Sequence, residues 1–435
     1  MKIRPARRIN GQIRLPGDKS ISHRAAIIAA LAVTPSHLTN FSPSQDCSAT
    51  LSCLERLGVV IEREGDRVRV DSVRGFSPPS ASLHCGNSGS TIRMLAGVLA
   101  GQNFVSTLTG DDSLRSRPMK RIIEPLELMG AKVESCEGRP PLNVTGRRPL
   151  KAIRYALPVA SAQVKTCVLL AGLHAEGITE VIEKRRGETR DHTERMLASF
   201  GVPIKNVAGD AGSVMTSVSL DQGFSGRAIS IPGDISSAAF LIAAAALLPQ
   251  SKLDIEGVGI NPTRTMFLTQ LQSLGLAIEI EETTDDCNEP VGNVHVTSGL
   301  GLDNKRNPLQ VRGDLVPQLI DELPLLAVVG SQLQGGVEIR DAGELRSKES
   351  DRITATAKNL RAMGAEVEEF EDGLAVGGRT LLRGARLESY GDHRIAMAFT
   401  VAALIAEGES EIGGSECVAV SFPEFFEVLE SIVER

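Results

Sequence analysis

The chain has no apolar run long enough to cross a bilayer. Its longest apolar helix candidates, such as Ser236 to Leu248, span about 13 alanine-rich residues against the ~20 a membrane helix needs. No membrane partner is expected. The N-terminal stretch MKIRPARRINGQIRLPG carries charges without an apolar segment behind them, so it lacks the centre of a secretory signal and a cytoplasmic location is expected. The seven cysteines, at 47, 53, 85, 136, 167, 287 and 417, are odd in number and widely spaced, with no C-x-x-C pair. That excludes a disulfide scaffold and gives no zinc spacing, so they read as reduced, mostly buried thiols. The histidines show no H-x-x-x-H spacing, and no metal or organic cofactor is expected. Positive charge is not in excess either: 47 Lys and Arg against 54 Asp and Glu give a formal charge of −7. Nonspecific nucleic-acid binding, which needs an extended basic face, is therefore excluded as the main activity. The phosphate-loop pattern GxxxxGK[ST] is absent, so nothing points to ATP.

What is present is repetition. The 435 residues suffice for two or three domains. A helical stretch ending in Gly and running into an alternating strand occurs five times: LERLGVVIE, LELMGAKVE, LASFGVPIK, LQSLGLAIE and LRAMGAEVE. Their glycines are Gly58, Gly130, Gly201, Gly275 and Gly364, at intervals of 72, 71, 74 and 89 residues. Gly at a helix end supplies a left-handed cap, and the alternation after it predicts a half-buried strand. A sixth copy falls at the C-terminus, where FPEFFEVLESIVER reads as an amphipathic helix with no strand after it. Between these copies lie six polar turns, each leading into a helix of small and apolar residues: GDKSISHRAAIIAALA, GNSGSTIRMLAGVLAG, ASAQVKTCVLLAGLHAEG, GDISSAAFLIAAAALL, DLVPQLIDELPLLAVVG and GDHRIAMAFTVAALIAEG. These helices have no wide polar face, so they should be buried inside a ring of sheets. Six units with Gly-Asp turns at 16–18 and 232–234 predict two domains of three repeats. One comprises residues 16–234, the other residues 1–15 and 235–435.

Cations collect in the polar turns: Lys19, Arg24, Arg93, Arg117, Lys120, Lys165, Arg190, Arg264, Lys348, Arg352 and Arg394. Taken singly, each reads as a solvated surface charge. Their recurrence at matching repeat positions, beside helix N-termini that carry partial positive charge, predicts a site for a substrate with more than one anionic group. The turn Gly86-Asn87-Ser88-Gly89 fits either a tight turn and N-cap or an anion cradle completed by Ser90, Thr91 and Arg93. Asp321, Glu322 and Glu349 stand out as acids among cations, suited either to structural ion pairing or to proton transfer.

Taken in order, PGDKSISHR, GNSGSTIR, RPM at 117–119, SAQVK, KESDR and GDHRIAM resemble the EPSP synthase family of enolpyruvyl transferases over essentially the whole chain. The resemblance implies an α+β fold in which each of two domains is an inside-out assembly of three βαβαββ repeats with buried helices. It implies transfer of the enolpyruvyl group of phosphoenolpyruvate to the 5-hydroxyl of shikimate 3-phosphate, with phosphate released, in the route to chorismate and aromatic amino acids. By motif match, shikimate 3-phosphate falls to Lys19, Ser20, Arg24, Ser161, Ala162, Gln163, Arg190, Asp321 and Lys348. Phosphoenolpyruvate falls to Lys19, Gly89, Arg117, Gln163, Arg352 and Arg394. Asp321, Glu349 and Lys19 take the catalytic roles; the domain of residues 1–15 and 235–435 is taken as the phosphoenolpyruvate side bearing the two acids, and that of 16–234 as the shikimate 3-phosphate side. The small-molecule substrates are the only partners expected, and the internally duplicated chain is expected to be a monomer.

Two features depart from or subdivide the family. The lysine that many members carry just before the FP motif is missing from SECVAVSFPEF. GDKS, SAQVK, RDHTE (190–194) and NPTR (261–264) resemble a subclass noted for glyphosate tolerance, yet Gly89 keeps the small residue associated with glyphosate access, so glyphosate enters as an inhibitor of open potency. The alternative acceptor, UDP-N-acetylglucosamine, belongs to a sister transferase that uses a cysteine in the loop matching Asp111 to Met119, where this chain has none. A noncatalytic anion-binding scaffold would be expected to have lost some of these residues.

Overall fold

The repeated glycines adopt the conformation their position requires. In the computed structural model, which describes residues 1–72, 75–184, 189–220, 222–298 and 307–435, Gly58, Gly130, Gly201, Gly275 and Gly364 all have φ between +80° and +99°. Each follows an amphipathic helix and precedes a strand: Val60–Glu64, Lys132–Cys136, Ile204–Ala208, Ala277–Asp286 and Val367–Phe370. A residue with a Cβ resists this backbone conformation, so Gly ends the helix and turns the chain.

The strands assemble the same way in repeat after repeat. In the second, Leu83–His84 pairs in parallel with Val105–Thr109, which pairs antiparallel with Arg139–Thr145, which in turn pairs antiparallel with Lys132–Cys136. The sheets built on Ser36–Thr39, Thr179–Glu183 and Val337–Ile339 follow the same order. The described chain divides into two units. The first comprises Pro16–Pro232 with Asp285–Glu289, and the second Met1–Leu15, Gly233–Thr284 and Pro290–Arg435. Residues 285–289, placed with the C-terminal domain on sequence grounds, group with the first unit. There His192 Nδ1 lies 2.7 Å from Glu289 Oε1, and Arg195 Nη1 donates to the Asn288 carbonyl at 2.6 Å. In the second unit Arg8–Arg14 runs parallel to Lys252–Gly259, and Lys2–Ile3 pairs with Ser410–Gly413.

The chain end corrects one expectation. A strand, Val433–Glu434, does follow the last helix, Phe425–Ile432, and pairs antiparallel with Arg8 and Ile9. Arg8 Nε meets Glu434 Oε2 at 2.6 Å across that pairing.

Each unit has its own core, and the small-residue helices Lys19–Ala29, Gly89–Ala100, Ala162–Gly172, Ile235–Leu247 and His393–Leu404 lie within these cores. Small side chains permit close approach: a Cβ on Gly97 would stand 2.2 Å from the Cys167 carbonyl oxygen of the neighbouring helix. The fifth copy is not one helix but two, Leu315–Leu319 and Leu323–Gly330. Pro324 explains the break, since it offers no N–H and its ring crowds the carbonyl four residues back, at Ile320. Asp321 and Glu322 lie in that break.

His174 follows the third buried helix and packs over Gly101, where a Cβ would come 2.4 Å from its ring. Neither ring nitrogen has a hydrogen-bond partner among the described residues. Burial, aided by the Arg148 charge, pushes this imidazole down to about 4. The unfolded chain therefore binds a proton near pH 6.5 that the folded one refuses. The resulting stability is complete above about pH 6.5 and is lost as pH falls toward 4, amounting to about 2 kcal/mol between pH 6.5 and pH 5. Denaturant midpoints at pH 7.5 and pH 5 should separate more for the native protein than for His174→Gln. Equal pH dependence in both would refute the assignment.

Candidate functional site

The polar turns place functional side chains by capping the buried helices. Asp18, Ser88, Ser161, Asp234 and Asp392 each accept a hydrogen bond from a backbone N–H in the first turn of the helix that follows. Such caps satisfy donors that a buried helix end would otherwise leave unpaired. In the first unit they set Lys19 and Ser20, Gly89 and Ser90, and Ala162 and Gln163 in the first turns of three helices.

These first-unit groups are held by short polar contacts. Lys19 Nζ lies 3.0 Å from Asp46 Oδ2. Gln163 Oε1 accepts from Arg93 Nη1 at 2.6 Å, and its Nε2 donates to Ser90 Oγ at 3.0 Å. Arg117, buried, donates from Nη2 to Asn87 Oδ1 at 2.5 Å and to Ser113 Oγ at 3.0 Å. Ser161 and Ala162 are half-buried beside Gln163. Arg24 is only 2% exposed, and its guanidinium donates to Thr193 Oγ1, the Ser20 carbonyl and Thr166 Oγ1 at 2.8, 2.8 and 3.0 Å. Burial, followed by the charge of half-buried Arg190, pushes Arg24 down to about 10 against the opposing Glu194. It stays cationic at neutral pH, with every nitrogen donating to the protein.

Lys165 leaves the pool of ligand cations. Its ammonium, 1% exposed, sits 2.8 Å from Glu183 Oε2 and 2.6 Å from Glu194 Oε1. Lys120 is exposed and lies over Gly138.

In the second unit the helix break sets Asp321 between two guanidinium groups. Its Oδ1 is 3.6 Å from Arg352 Nη1, and its Oδ2 is 3.8 Å from Arg394 Nη2. These are ion-pair rather than hydrogen-bond distances. Arg352 is buried and anchored by Asp392, which accepts from Nε at 2.7 Å and Nη2 at 3.2 Å; Nη2 also donates to Glu349 Oε2 at 2.7 Å. The carboxylates of Asp392, Glu349 and Asp321 outweigh burial and raise the Arg352 pKa, so its charge is permanent. Lys348 is half-buried, and burial lowers its pKa despite Asp321, with Arg352 adding to the depression. Arg394 donates from Nη1 to Glu322 Oε1 at 3.4 Å and lies 5.8 Å from the centre of the Phe240 ring. The arrangement offers fixed cations for anionic groups and two half-buried carboxylates, Asp321 and Glu349, beside them.

The family model for EPSP synthase, 3-phosphoshikimate 1-carboxyvinyltransferase, matches residues 3–429. The chain belongs to the EPSP synthase family. It is 50% identical to the 3-phosphoshikimate 1-carboxyvinyltransferase of Koribacter versatilis over 100% of this chain and 99% of the relative. The Brevibacillus brevis protein of that name is 45% identical over 99% of each chain. The EPSP synthase structure from Acinetobacter baumannii superposes with a TM-score of 0.84 at 39% identity, covering 99% of this chain and 98% of that one. The enolpyruvyl transferase NikO from Streptomyces tendae, at 18% identity, shares the fold with a TM-score of 0.75 over 100% and 97% of the two chains. The two-unit, mixed-sheet arrangement is thus the α+β enolpyruvyl transferase fold, and the UDP-N-acetylglucosamine alternative is not favoured. Among the described residues no helix is long and apolar enough to cross a membrane.

Within this EPSP synthase family member, Asp46 and Asp392, the carboxylates that hold Lys19 and Arg352, escaped sequence reasoning, and the contact of Glu322 with Arg394 did too. Asp392 had a readable signal, because it occupies the cap position shared with Asp18 and Asp234. Asp46, in SPSQDCS, had none beyond an acid in a helix's first turn. Glu322 was singled out as an acid among cations, but its partners Ser236 and Arg394 lie 86 and 72 residues away.

Gly89 has a geometric reason for lacking a side chain. A methyl there would stand 2.6 Å from Arg93 Nη1 and 3.4 Å from Arg117 Nη1. The Arg93 guanidinium would swing aside and loosen Gln163. Gly89→Ala is expected to raise KM for phosphoenolpyruvate about tenfold, a loss of about 1.4 kcal/mol, with little change in thermal midpoint. An unchanged KM would show that these two guanidinium groups do not set the anion's affinity.

Proposed function

We propose that this chain transfers the enolpyruvyl group of phosphoenolpyruvate to the 5-hydroxyl of shikimate 3-phosphate. The observation that carries the reading is Asp321 held between Arg352 and Arg394, with Glu349 hydrogen-bonded to the same Arg352. Fixed guanidinium groups stabilise phosphate and carboxylate charge without reorganising during the reaction. In the first unit, Lys19, Ser20, Arg24, Ser161, Ala162, Gln163 and Arg190 serve shikimate 3-phosphate, joined by Asp321 and Lys348. Lys19, Gly89, Arg117, Gln163, Arg352 and Arg394 serve phosphoenolpyruvate. The polar network from Gln163 through Arg93 and Ser90 supports these roles. Three of the five N–H donors of Arg24 bond to Thr193, Thr166 and the Ser20 carbonyl, which fixes the guanidinium in place.

Asp321, with Lys19, takes or orients the proton of the 5-hydroxyl as its oxygen bonds to C2 of phosphoenolpyruvate. Glu349 gives a proton to the methylene carbon, forming a tetrahedral ketal. The C2–O bond to phosphate then breaks while the proton added to the methyl group leaves again, restoring the double bond. The domain of residues 1–15 and 235–435 carries the acids with Arg352 and Arg394, and that of 16–234 carries most contacts to shikimate 3-phosphate together with Lys19, Gly89, Arg117 and Gln163. Under the same reading the protein acts as a cytoplasmic monomer, and glyphosate is the inhibitor to test on it.

Phosphate release from phosphoenolpyruvate, followed in parallel with shikimate 3-phosphate and with UDP-N-acetylglucosamine, tests this directly. Release with shikimate 3-phosphate alone is expected. Release with the nucleotide sugar alone would overturn the acceptor, and silence with both would overturn catalysis.

A further inference from the structure

The segment Asn261-Pro262-Thr263-Arg264 takes no part in the reaction described above, yet it is built to aim one side chain. Asn261 Oδ1 accepts from the Thr263 N–H at 2.9 Å and from its hydroxyl at 2.8 Å, closing a turn around Pro262. The Asn261 carbonyl accepts from the Arg264 N–H at 2.8 Å. Arg264 is thereby directed inward, its side chain 4% exposed, and Nη2 donates to Ser236 Oγ at 2.6 Å while standing 3.8 Å from Asp234 Oδ1.

Ser236 has a single hydroxyl proton. With Arg264 donating to its oxygen, that proton goes to Glu322 Oε1 at 2.5 Å. The same oxygen of Glu322, whose side chain is 5% exposed, accepts from Arg394 Nη1 at the longer distance of 3.4 Å. Four groups of one unit therefore run in sequence from Arg264 through Ser236 and Glu322 to Arg394.

We propose that Arg264 is a positioning residue for the anionic cosubstrate: acting through Ser236, it occupies Glu322 and so leaves the Arg394 guanidinium available to an incoming phosphate or carboxylate. A buried carboxylate without other donors pairs with arginine by short, two-point hydrogen bonds. Here Glu322 shares its oxygen with Ser236, and the Arg394 contact stays long. Removing Arg264 frees Ser236 to turn away, and Glu322 then draws Arg394 into a close pair that competes with ligand.

The inference rests on the reading of Arg394 as a phosphoenolpyruvate ligand, and the test separates the two. Steady-state KM for phosphoenolpyruvate and for shikimate 3-phosphate, kcat and the thermal midpoint would be measured for Ser236→Ala, Arg264→Met, Arg394→Ala and the double variant Arg264→Met with Glu322→Gln. Ser236→Ala keeps the helix cap, which uses the backbone N–H, and guards against a folding defect in Arg264→Met. The expected result is KM for phosphoenolpyruvate about tenfold higher in Ser236→Ala and Arg264→Met, with kcat and KM for shikimate 3-phosphate within about twofold. Glu322→Gln should restore most of that affinity in the Arg264→Met background, because the amide no longer captures Arg394 as an ion. A raised KM in Arg394→Ala without one in Ser236→Ala would overturn the relay while leaving Arg394 a ligand. An unchanged KM in Arg394→Ala would overturn both.

Discussion

Glu349→Gln is expected to lower kcat by about 100- to 10,000-fold, the range that a positioned general acid or base contributes, while KM for both substrates stays within a few-fold. The split follows from the contacts. Glu349 accepts a hydrogen bond from Arg352 Nη2, and a glutamine carbonyl can accept the same bond. Arg352 keeps its place regardless, because Asp392, fully buried, holds it by two further bonds. What the substitution removes is the carboxyl group that can give and take a proton. The variant should therefore also fail to incorporate solvent deuterium into the methylene of phosphoenolpyruvate in heavy water. Turnover within about threefold of the native enzyme, with deuterium still incorporated, would move the proton-transfer role to another residue.

Lys165→Met carries the largest expected cost in stability, about 3–5 kcal/mol at neutral pH, the usual consequence of removing one partner from a buried ionic cluster. Glu183 and Glu194 would be left facing one another in the core, where, among the described residues, only Thr189 donates to Glu183, from its N–H and its hydroxyl. Burial already raises the Glu194 pKa in spite of the lysine, and losing that cation raises it further. A folded carboxyl with a raised pKa binds more protons than the unfolded one. The variant's stability should therefore recover as pH falls through the folded pKa toward the unfolded value near 4.5, and the deficit should be largest above that window. Urea midpoints between pH 5 and pH 8 would display both the deficit and its slope. A variant that matched the native midpoint at pH 7.5 would mean that the two glutamates find other cations.

The pairing of Lys165 also marks where sequence reading stops. The lysine belongs to SAQVK, a helix start crowded with groups suited to an anion, and on local grounds it is as plausible a ligand as Lys19. Its partners lie 18 and 29 positions further on, in a strand and in the next helix, and only the folded repeat brings them together. Arg24 is similar, since Thr166 and Thr193, which occupy its guanidinium, come from two other helices. By contrast Arg352, Glu349 and Lys348 were legible as a cluster, because they lie within four positions of one another where a polar turn enters a helix.

The sequence by itself determined the elements that depend on a few neighbouring residues. Five glycines stopped five helices, Asp and Ser capped the buried ones, alternation marked the strands, and Pro324 broke the fifth helix. All of these are contests within about one helical turn. The tertiary structure decided what depends on distant segments. Val433–Glu434 becomes a strand because Arg8 and Ile9 lie open beside it, Ala228–Ser230 completes a sheet begun by Ser36–Thr39, and residues 285–289 group with the first unit. It also set the recurring cations apart: Lys165 is neutralised by two buried glutamates, Lys120 stays exposed, and Arg93 is held against Gln163. Local propensity fixes where a side chain leaves the backbone, but the charge left for a ligand depends on which remote acid folds against it.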